Sequence, residues 1–196
     1  MTQKYTSFVD FIIPTYQRYD QLRCMLYSLI AQYDPDWSAQ VIIDDIENNT
    51  IVNIIKNIND NRISYTFTGQ RYNDWGHTPR EIGKQQSNSQ YIIMTGDDNY
   101  YTPTTVSEIK QATNINSLPA LVYWDMIHSH FNYKLLECKL MFDHIDMGAF
   151  ATRNDIAKTI KLDNTFTADG MFIHNLLTRY NDELKIKIPK VLFIHN

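Results

Sequence analysis

The sequence predicts an α/β protein with a mostly parallel central sheet that is flanked by helices. In the first half, short apolar runs end in polar clusters, and segments with apolar residues at helical spacing separate these runs. Strands and helices that alternate in this way form βαβ units with right-handed crossovers in a parallel sheet. The second half does not show this alternation of strands and helices, so we expect it to add a smaller, mixed part to the sheet.

Four apolar runs in the first half predict buried strands. These runs are residues 8–13, 41–43, 63–67 and 91–95. Apolar residues at helical spacing predict helices over residues 22–30 and 51–58, and a short helix is expected to begin at Glu81. The polar and aromatic stretch 69–80 is predicted to be a loop, because a glycine and Pro79 interrupt it.

The second half is predicted to be mixed. The predicted elements are strands at 120–126 and 132–140 joined by a turn through 128–131, helices at 155–160 and 172–180, and a closing strand at 185–194. No linker, low-complexity stretch or internal repeat divides the sequence. We therefore expect one domain over residues 1–196, with 1–100 and 101–196 as its two halves.

Composition narrows the class of protein. Hydrophobic residues make up 43% of the 196 residues, which is enough for one substantial core. The net charge of −4 argues against a nucleic-acid partner, which usually requires a basic face. Cys24 and Cys138 lack the spacing of a metal or redox motif, so reduced thiols are expected. No apolar signal core or membrane span is evident, and we expect a soluble cytoplasmic protein.

Four polar clusters follow the predicted strands or begin the helix after them. They are residues 14–18, 44–48, 76–80 and 96–99. The loops after parallel strands gather at one edge of the sheet, where ligands bind. We therefore expect the four clusters to meet and form a binding site.

Gly96-Asp97-Asp98-Asn99 carries two adjacent carboxylates directly after a strand. The simpler interpretation is a solvated loop that caps the next helix. Two neighbouring carboxylates raise each other's pKa, however, and a hard cation such as Mg²⁺ or Mn²⁺ removes that cost. A metal held there would neutralise a departing diphosphate, and we favour this interpretation.

Further residues at this edge have two interpretations each. Asp44 and Asp45 also follow a strand, and one of them is explained simply as the cap of the next helix. The alternative is that a carboxylate here accepts hydrogen bonds from a nucleobase or ribose. Tyr16 is explained as a partly buried loop aromatic, or as a ring that stacks on a base. Of the arginines at this edge (Arg18, Arg71 and Arg80), Arg80 is the best candidate for a phosphate ligand, because the loop before it is constrained.

Two residues in the second half are also candidates. Asp169 precedes a predicted helix, where Asp is a common N-cap, but its carboxylate is also able to take the proton of an attacking hydroxyl. His195 is either a surface histidine or a metal ligand. The sequence contains no GxGxxG, GxxxxGK[ST], HExxH or GxSxG motif, which excludes the usual dinucleotide, P-loop, zincin and α/β-hydrolase functions.

Together these segments resemble the inverting family 2 glycosyltransferases of the GT-A fold, and among them the spore-coat polysaccharide glycosyltransferase type. The segments that carry the resemblance are FIIPTYQRYDQL at 11–22, VIIDDIENN at 41–49, TGDDNYYTP at 95–103 and TADGMF at 167–172. The order and spacing of the four segments make the resemblance more specific than any one of them. It implies a nucleotide-binding half over 1–100 and an acceptor-side half over 101–196.

The resemblance implies a role for each matching residue. Tyr16 and Asp45 would hold the base, with Asp45 facing the ring N–H of uracil, and Asp97 would contact the ribose or a phosphate. Asp98 would bind Mn²⁺ or Mg²⁺, and His195 would complete the metal site. The other residues of the implied nucleotide site are Pro14, Arg18, Gly76, His77 and Arg80.

The resemblance also implies the reaction. Asp169 would act as the general base in one in-line displacement that inverts the anomeric carbon of a nucleotide-diphosphate sugar, with a UDP-sugar as donor and a saccharide or other hydroxyl as acceptor. Acceptor elements are expected at 143–153 and in the hairpin at 128–132, with contacts at Asp146, Gly148 and Ala149. Ala168 stands where an acid usually precedes the base.

Two other functions stay open. One is a binding module of the same fold that holds a nucleotide-sugar or a glycan without turnover, which Ala168 favours slightly. The other is a sugar nucleotidyltransferase, but that class usually has a glycine-rich first loop, and residues 14–18 contain no glycine.

Overall fold

The computed structural model describes residues 5–114 and 118–196, and its nine strands in those ranges form one sheet. The elements of the first half are β1 (Val9–Thr15), α1 (Tyr19–Ile30), β2 (Trp37–Ile43), α2 (Asn49–Ile58), β3 (Ile63–Phe67), α3 (His77–Gln86) and β4 (Tyr91–Met94). Those of the second half are β5 (Tyr100–Tyr101), α4 (Thr105–Thr113), β6 (Leu121–His128), β7 (Lys134–Leu136), β8 (Phe150–Arg153), α5 (Asn154–Ala157), α6 (Ala168–Arg179) and β9 (Lys185–His195).

The order of the strands in the sheet is β3-β2-β1-β4-β8-β6-β9-β5. Strand β7 pairs with the C-terminal end of β6. The first four strands are parallel to one another. Strand β8 is antiparallel to β4 and β6, whereas β6 and β9 are parallel. The predicted fold class, a mostly parallel sheet with a mixed second half, is confirmed.

The core explains why these segments form a parallel sheet. All seven residues of β1 are buried, because the central strand of a parallel sheet is covered on both faces. On α1, Leu22, Met25 and Leu26 lie on the buried face, together with Leu29 one turn later. Because β1 pairs in parallel with both β2 and β4, the carboxyl ends of these three strands lie side by side at one edge of the sheet.

Helix α3 begins four residues earlier than the predicted start at Glu81, and the prediction of a loop through residue 80 was wrong. Pro79 lies in the first turn of α3, where a residue without an N–H costs no helical hydrogen bond. Asp74 supports this start, because its carboxylate accepts a hydrogen bond from the Thr78 N–H at 2.9 Å. As a result, His77 and Arg80 are held on a helix.

The second half differs more from the prediction. The strand expected over 132–140 is limited to β7, and Cys138 lies outside it, with its N–H donating to the Asp125 carboxylate at 2.8 Å. Strands β5 and β8 and helix α4 were not predicted. Strand β5 has only two residues and β8 only four, which is too short for a periodic signal.

A buried lysine connects α3 to the segment before α6. Lys84 is 0% exposed, and its ammonium group donates to the Glu81 carboxylate at 2.6 Å and to the Ile160 carbonyl at 2.5 Å. Glu81 also accepts a hydrogen bond from the Leu162 N–H at 2.6 Å. These bonds fix the chain that leads into α6.

Across the described ranges 5–114 and 118–196, no helix has both the length and the apolar character that a membrane crossing requires.

Candidate functional site

A cleft of about 790 Å³ lies at the carboxyl edge of β1, β2 and β4. Its walls come from the loops after these strands, from the first turns of α3 and α6, and from the end of β9. The predicted site residues that line it are Pro14, Tyr16, Arg18, Gly76, His77, Arg80, Asp97, Asp98, Asp146, Asp169 and His195. The cleft thus brings both halves of the chain together around one space.

Three predicted site residues do not line the cleft. Asp45 lies beyond the end of β2, and its carboxylate accepts a hydrogen bond from the Ile46 N–H at 2.8 Å. Gly148 and Ala149 are buried below the cleft, where the Gly148 carbonyl accepts a hydrogen bond from the Tyr101 hydroxyl at 2.9 Å. Both residues support Asp146, whose carboxylate accepts a hydrogen bond from the Gly148 N–H at 2.8 Å.

The acid pair after β4 is held by two neighbours. Asp97 is buried, and its carboxylate accepts a hydrogen bond from the Thr15 hydroxyl at 2.7 Å. Burial raises the pKa of Asp97 to about 6. Asp98 is more exposed and forms an ion pair with Arg18, whose guanidinium also lies 3.5 Å from Asp97. Arg18 therefore serves as the counter-ion of both carboxylates.

Of the two acids after β2, Asp44 lines the cleft and Asp45 does not. Asp44 is buried, and its carboxylate accepts hydrogen bonds from Arg71 at 2.7 Å and from the Tyr72 and Asn73 N–H groups at 2.9 and 3.2 Å. The Arg71 guanidinium lies 3.6 Å from the centroid of the Tyr16 ring, which is a cation–π contact. Asp44 thus orders the loop after β3 that presents Arg71, and Arg71 in turn packs on the Tyr16 ring.

Arg80 lies near the start of α3 and lines the cleft. Its guanidinium donates to the Thr95 carbonyl at 3.1 Å and to the Trp75 carbonyl at 2.8 Å. Burial lowers the pKa of Arg80, and the nearby carboxylates of Asp146 and Asp97 oppose this effect. A fixed cation in the wall of a cleft suits a diphosphate.

Gly76 allows α3 to begin at the wall of the cleft. Its φ of +81° lies in the left-handed region, and an added Cβ would lie 2.9 Å from the Pro14 side chain. We expect Gly76→Ala to lower the free energy of unfolding by about 1 kcal/mol for the backbone conformation and by a further ~1–3 kcal/mol for the overlap with Pro14. Urea denaturation would measure the loss.

Gly69→Ala is the matched control for Gly76→Ala. Gly69 has a φ of +80°, but no atom lies within 4 Å of an added Cβ. This variant therefore has the backbone cost alone. Equal losses of stability in the two variants would contradict the role of the contact between Gly76 and Pro14.

Asp169 lies in the first turn of α6 and faces the same cleft. Thr167 is the N-cap of the helix, so the cap function that the sequence suggested for Asp169 belongs to another position. Burial raises the pKa of Asp169 to about 6, the nearby Asp146 adds to the increase, and Arg80 opposes it. A carboxylate with such a pKa suits a general base near neutral pH.

His195 lies in a group of possible metal ligands with His128 and Asp146. One donor atom from each residue lies within 4.8 Å of the others. The His195 Nε2 atom is 3.8 Å from the Asp146 carboxylate, and its Nδ1 atom is 3.0 Å from the Ser129 hydroxyl. Asp98, the other predicted metal ligand, is not a member of this group.

The ligand atoms of this group fit a divalent ion, but the orientation of the two histidine rings limits which residues are able to bind the same ion. Carboxylate and imidazole donors suit Mn²⁺. The rings of His128 and His195 are stacked, with centroids 4.1 Å apart and planes 4° apart. A ring nitrogen binds a metal along a lone pair in its own plane, so two parallel rings do not point at one ion. His195 and Asp146 therefore form the better-placed pair.

Among the cleft residues that the sequence interpretation missed are Asp74, Trp75 and Phe166. Trp75 and Phe166 are 62% and 76% exposed. Asp74 and His77 each keep a buried polar atom, Oδ1 and Nδ1, without a hydrogen-bond partner. Isolated aromatic residues in a predicted loop give no periodic signal, although the density of polar and aromatic residues in 69–80 did mark the loop as unusual.

A family model described as Glycosyl transferase family 2 matches residues 10–138 of the chain. This match covers β1 through β7 and includes the acid pair, Arg80 and the loop that carries Trp75. The chain belongs to glycosyl transferase family 2. A comparison with the sequences of curated proteins gave no match.

Several solved structures have a similar fold over almost the whole of this chain. TarS 1–349 of S. aureus has a TM-score of 0.73 and 14% identity, over 96% of this chain and 60% of that one. TarS 1–349 in complex with UDP-GlcNAc gives the same TM-score and identity, over 95% and 57%. The mannosyltransferase PcManGT of Pyrobaculum calidifontis, in complex with GDP-Man and Mn²⁺, gives 0.72 and 12%, over 98% and 58%. The chain spans about three-fifths of the length of these structures.

Proposed function

We propose that this protein transfers a sugar from a nucleotide-diphosphate sugar, with UDP as the carrier, to a hydroxyl group of a saccharide, with inversion at the anomeric carbon. One observation carries the proposal. An acid pair after β4 (the buried Asp97 and the more exposed Asp98), a fixed cation (Arg80) and a carboxylate of raised pKa (Asp169) line one cleft at the carboxyl edge of a parallel sheet.

The donor side of the cleft has the chemistry that a nucleoside diphosphate requires. Tyr16 offers a ring for the base, Asp97 an acceptor for a ribose hydroxyl, and Arg80 a guanidinium for the diphosphate. Asp44, which lines the cleft, would take part in ordering the base site, and the role of Asp45 stays a prediction. The complexes of the similar structures with UDP-GlcNAc and GDP-Man support a donor of this class.

The residues that would hold a divalent ion are Asp98, Asp146 and His195. When bound, the ion supplies positive charge that stabilises the departing diphosphate. Asp98 is paired with Arg18, so its carboxylate becomes a ligand only when Arg18 moves away. The Mn²⁺ in the PcManGT complex supports a metal of this kind.

Asp169 is the proposed base. Its carboxylate takes the proton of the acceptor hydroxyl while the oxygen attacks the anomeric carbon from the face opposite the diphosphate. Arg80, together with the divalent ion when it is bound, stabilises the negative charge that develops on the leaving diphosphate. In this proposal residues 1–100 bind the nucleotide, and residues 101–196 supply the base and the acceptor side.

The test is a titration of UDP, GDP and CDP by calorimetry, first with Mn²⁺ and then with EDTA. We expect UDP to bind most tightly and its affinity to fall when EDTA removes the metal. A folded protein that binds none of the three nucleotides would contradict the proposal. UDP binding without any transfer would favour a binding module of the same fold.

The pH dependence of the reaction follows from the raised pKa of Asp169. Because the base must be ionised, and burial raises its pKa to about 6, we expect kcat/KM to fall as the pH drops below about 6. Asp97, whose pKa burial also raises to about 6, makes the decline steeper than that for a single group. A pH profile that stays flat to pH 4.5 would contradict this assignment of the base.

A further inference from the structure

Two large aromatic side chains at the cleft are exposed although they are apolar. Trp75 is 62% exposed and Phe166 is 76% exposed, and both line the cleft. The other two tryptophans, Trp37 and Trp124, are 2% and 0% exposed. Exposed apolar surface next to a polar cleft is typical of a binding surface.

The backbone at both aromatic residues is held in place from α3. Arg80 donates a hydrogen bond to the Trp75 carbonyl at 2.8 Å, and His77 Nε2 bonds to the Thr165 carbonyl, next to Phe166, at 2.9 Å. Trp75 also has a φ of +56°, an unfavourable conformation for a bulky residue. Strain of this kind persists where the surroundings fix it, and it is common at ligand sites.

Unused hydrogen-bond acceptors lie on both sides of Trp75 in the chain. The Thr165 carbonyl only accepts, so His77 Nε2 carries the proton and Nδ1 is an acceptor. His77 Nδ1 and Asp74 Oδ1 are buried and have no partner, which is costly for polar atoms. Both residues line the cleft, and a small movement of either side chain would let a ligand that donates hydrogen bonds satisfy these atoms.

We propose that Trp75 and Phe166 form the acceptor-sugar subsite of the cleft. A pyranose ring has a face of C–H groups that stacks on an aromatic ring, and a rim of hydroxyls that donate to Asp74 and His77. Phe166 lies just before α6, so a ring held there has its hydroxyls near Asp169. This inference rests on the proposed function, and it commits to a neutral saccharide, since both unused polar atoms are acceptors.

The exposed Trp75 makes the subsite directly measurable. Acrylamide quenches exposed tryptophans, and Trp37 and Trp124 are buried, so the quenched fraction of the fluorescence reports on Trp75. The probes are the methyl glycosides of glucose, galactose, mannose and N-acetylglucosamine, added to the protein with UDP and Mn²⁺. We expect at least one glycoside to protect Trp75. Mannitol, which has hydroxyls but no ring face, is expected to give no protection.

Variants separate the ring from the backbone. Asn tolerates the left-handed conformation, so Trp75→Asn removes the indole with little change in the backbone. We expect it to weaken glycoside binding, measured by calorimetry, about tenfold, and Trp75→Phe to restore most of it. Phe166→Ala should weaken binding in the same direction. Tyr33→Ala, at a residue that is 76% exposed and does not line the cleft, is the control.

The outcomes distinguish this subsite from the proposed function. Protection of Trp75 by no glycoside, or unchanged glycoside binding in Trp75→Asn, would overturn the subsite even if UDP binds. If no nucleotide binds but a glycoside protects Trp75, the subsite stands and the proposed transfer reaction fails.

Discussion

Replacing Asp169 by Asn is expected to lower the rate of sugar transfer by about 10²–10⁴-fold and to leave nucleotide affinity nearly unchanged. Asn has the same shape as Asp but cannot accept the proton of the acceptor hydroxyl. Asp169 lies in the first turn of α6, whereas Tyr16 follows β1 and Asp44 follows β2, so the variant leaves Tyr16 and Asp44 unchanged. Transfer kinetics and calorimetry with UDP would measure the two effects separately.

The control for this variant is Asp163→Asn. Asp163 lies in the segment before α6, six residues ahead of Asp169, and does not line the cleft. We expect it to retain normal transfer. Full activity in Asp169→Asn would show that another group takes the proton, and the proposed mechanism would then be wrong.

Replacing Asp98 by Asn is expected to remove the metal dependence of nucleotide binding. Loss of an outer-shell partner of a metal ligand typically weakens metal affinity by about 10–100-fold, so loss of a ligand should cost at least that. Calorimetry with Mn²⁺ alone, and with Mn²⁺ and UDP, would measure the change. Unchanged metal dependence in this variant would remove Asp98 from the site.

Arg18→Gln is expected to act in the opposite direction and to tighten the binding of Mn²⁺ in the absence of nucleotide. In the structure the Arg18 guanidinium is paired with Asp98, so the metal must displace it. Arg23→Gln is the control, because Arg23 pairs with the exposed Asp20 on α1 and does not line the cleft. Weaker Mn²⁺ binding in Arg18→Gln would mean that Arg18 supports the metal site and does not compete with it.

The sequence predicted the parallel half of the sheet well, because its strands are apolar runs and its helices have a clear period. It also predicted that Pro14, Gly76 and Asp97 would meet, since the carboxyl ends of parallel strands share an edge. The start of α3 was missed because Pro79 is a helix breaker in most positions but is compatible with a first turn.

The parts that the sequence could not predict depend on contacts between distant segments. Asp44, which lines the cleft, differs from Asp45, which does not, because Arg71 and backbone N–H groups after β3 donate hydrogen bonds to the Asp44 carboxylate. The grouping of His195 with His128 and Asp146 requires the pairing of β6 with β9. No periodicity in the sequence predicts either arrangement. Nor does any predict the contact between His77 on α3 and the Thr165 carbonyl next to Phe166.

Under the proposed function, the buried bonds of Lys84 and Glu81 have a consequence for how acceptor preference can be changed. They fix the chain at Ile160 and Leu162, and α6 begins at Ala168. The short stretch 163–167 is therefore anchored at both ends, and it contains Phe166. Substitutions at Phe166 can therefore alter the surface of the proposed acceptor subsite, while Asp169 on α6 keeps its position. This stretch is accordingly the place where directed evolution toward new acceptors should begin.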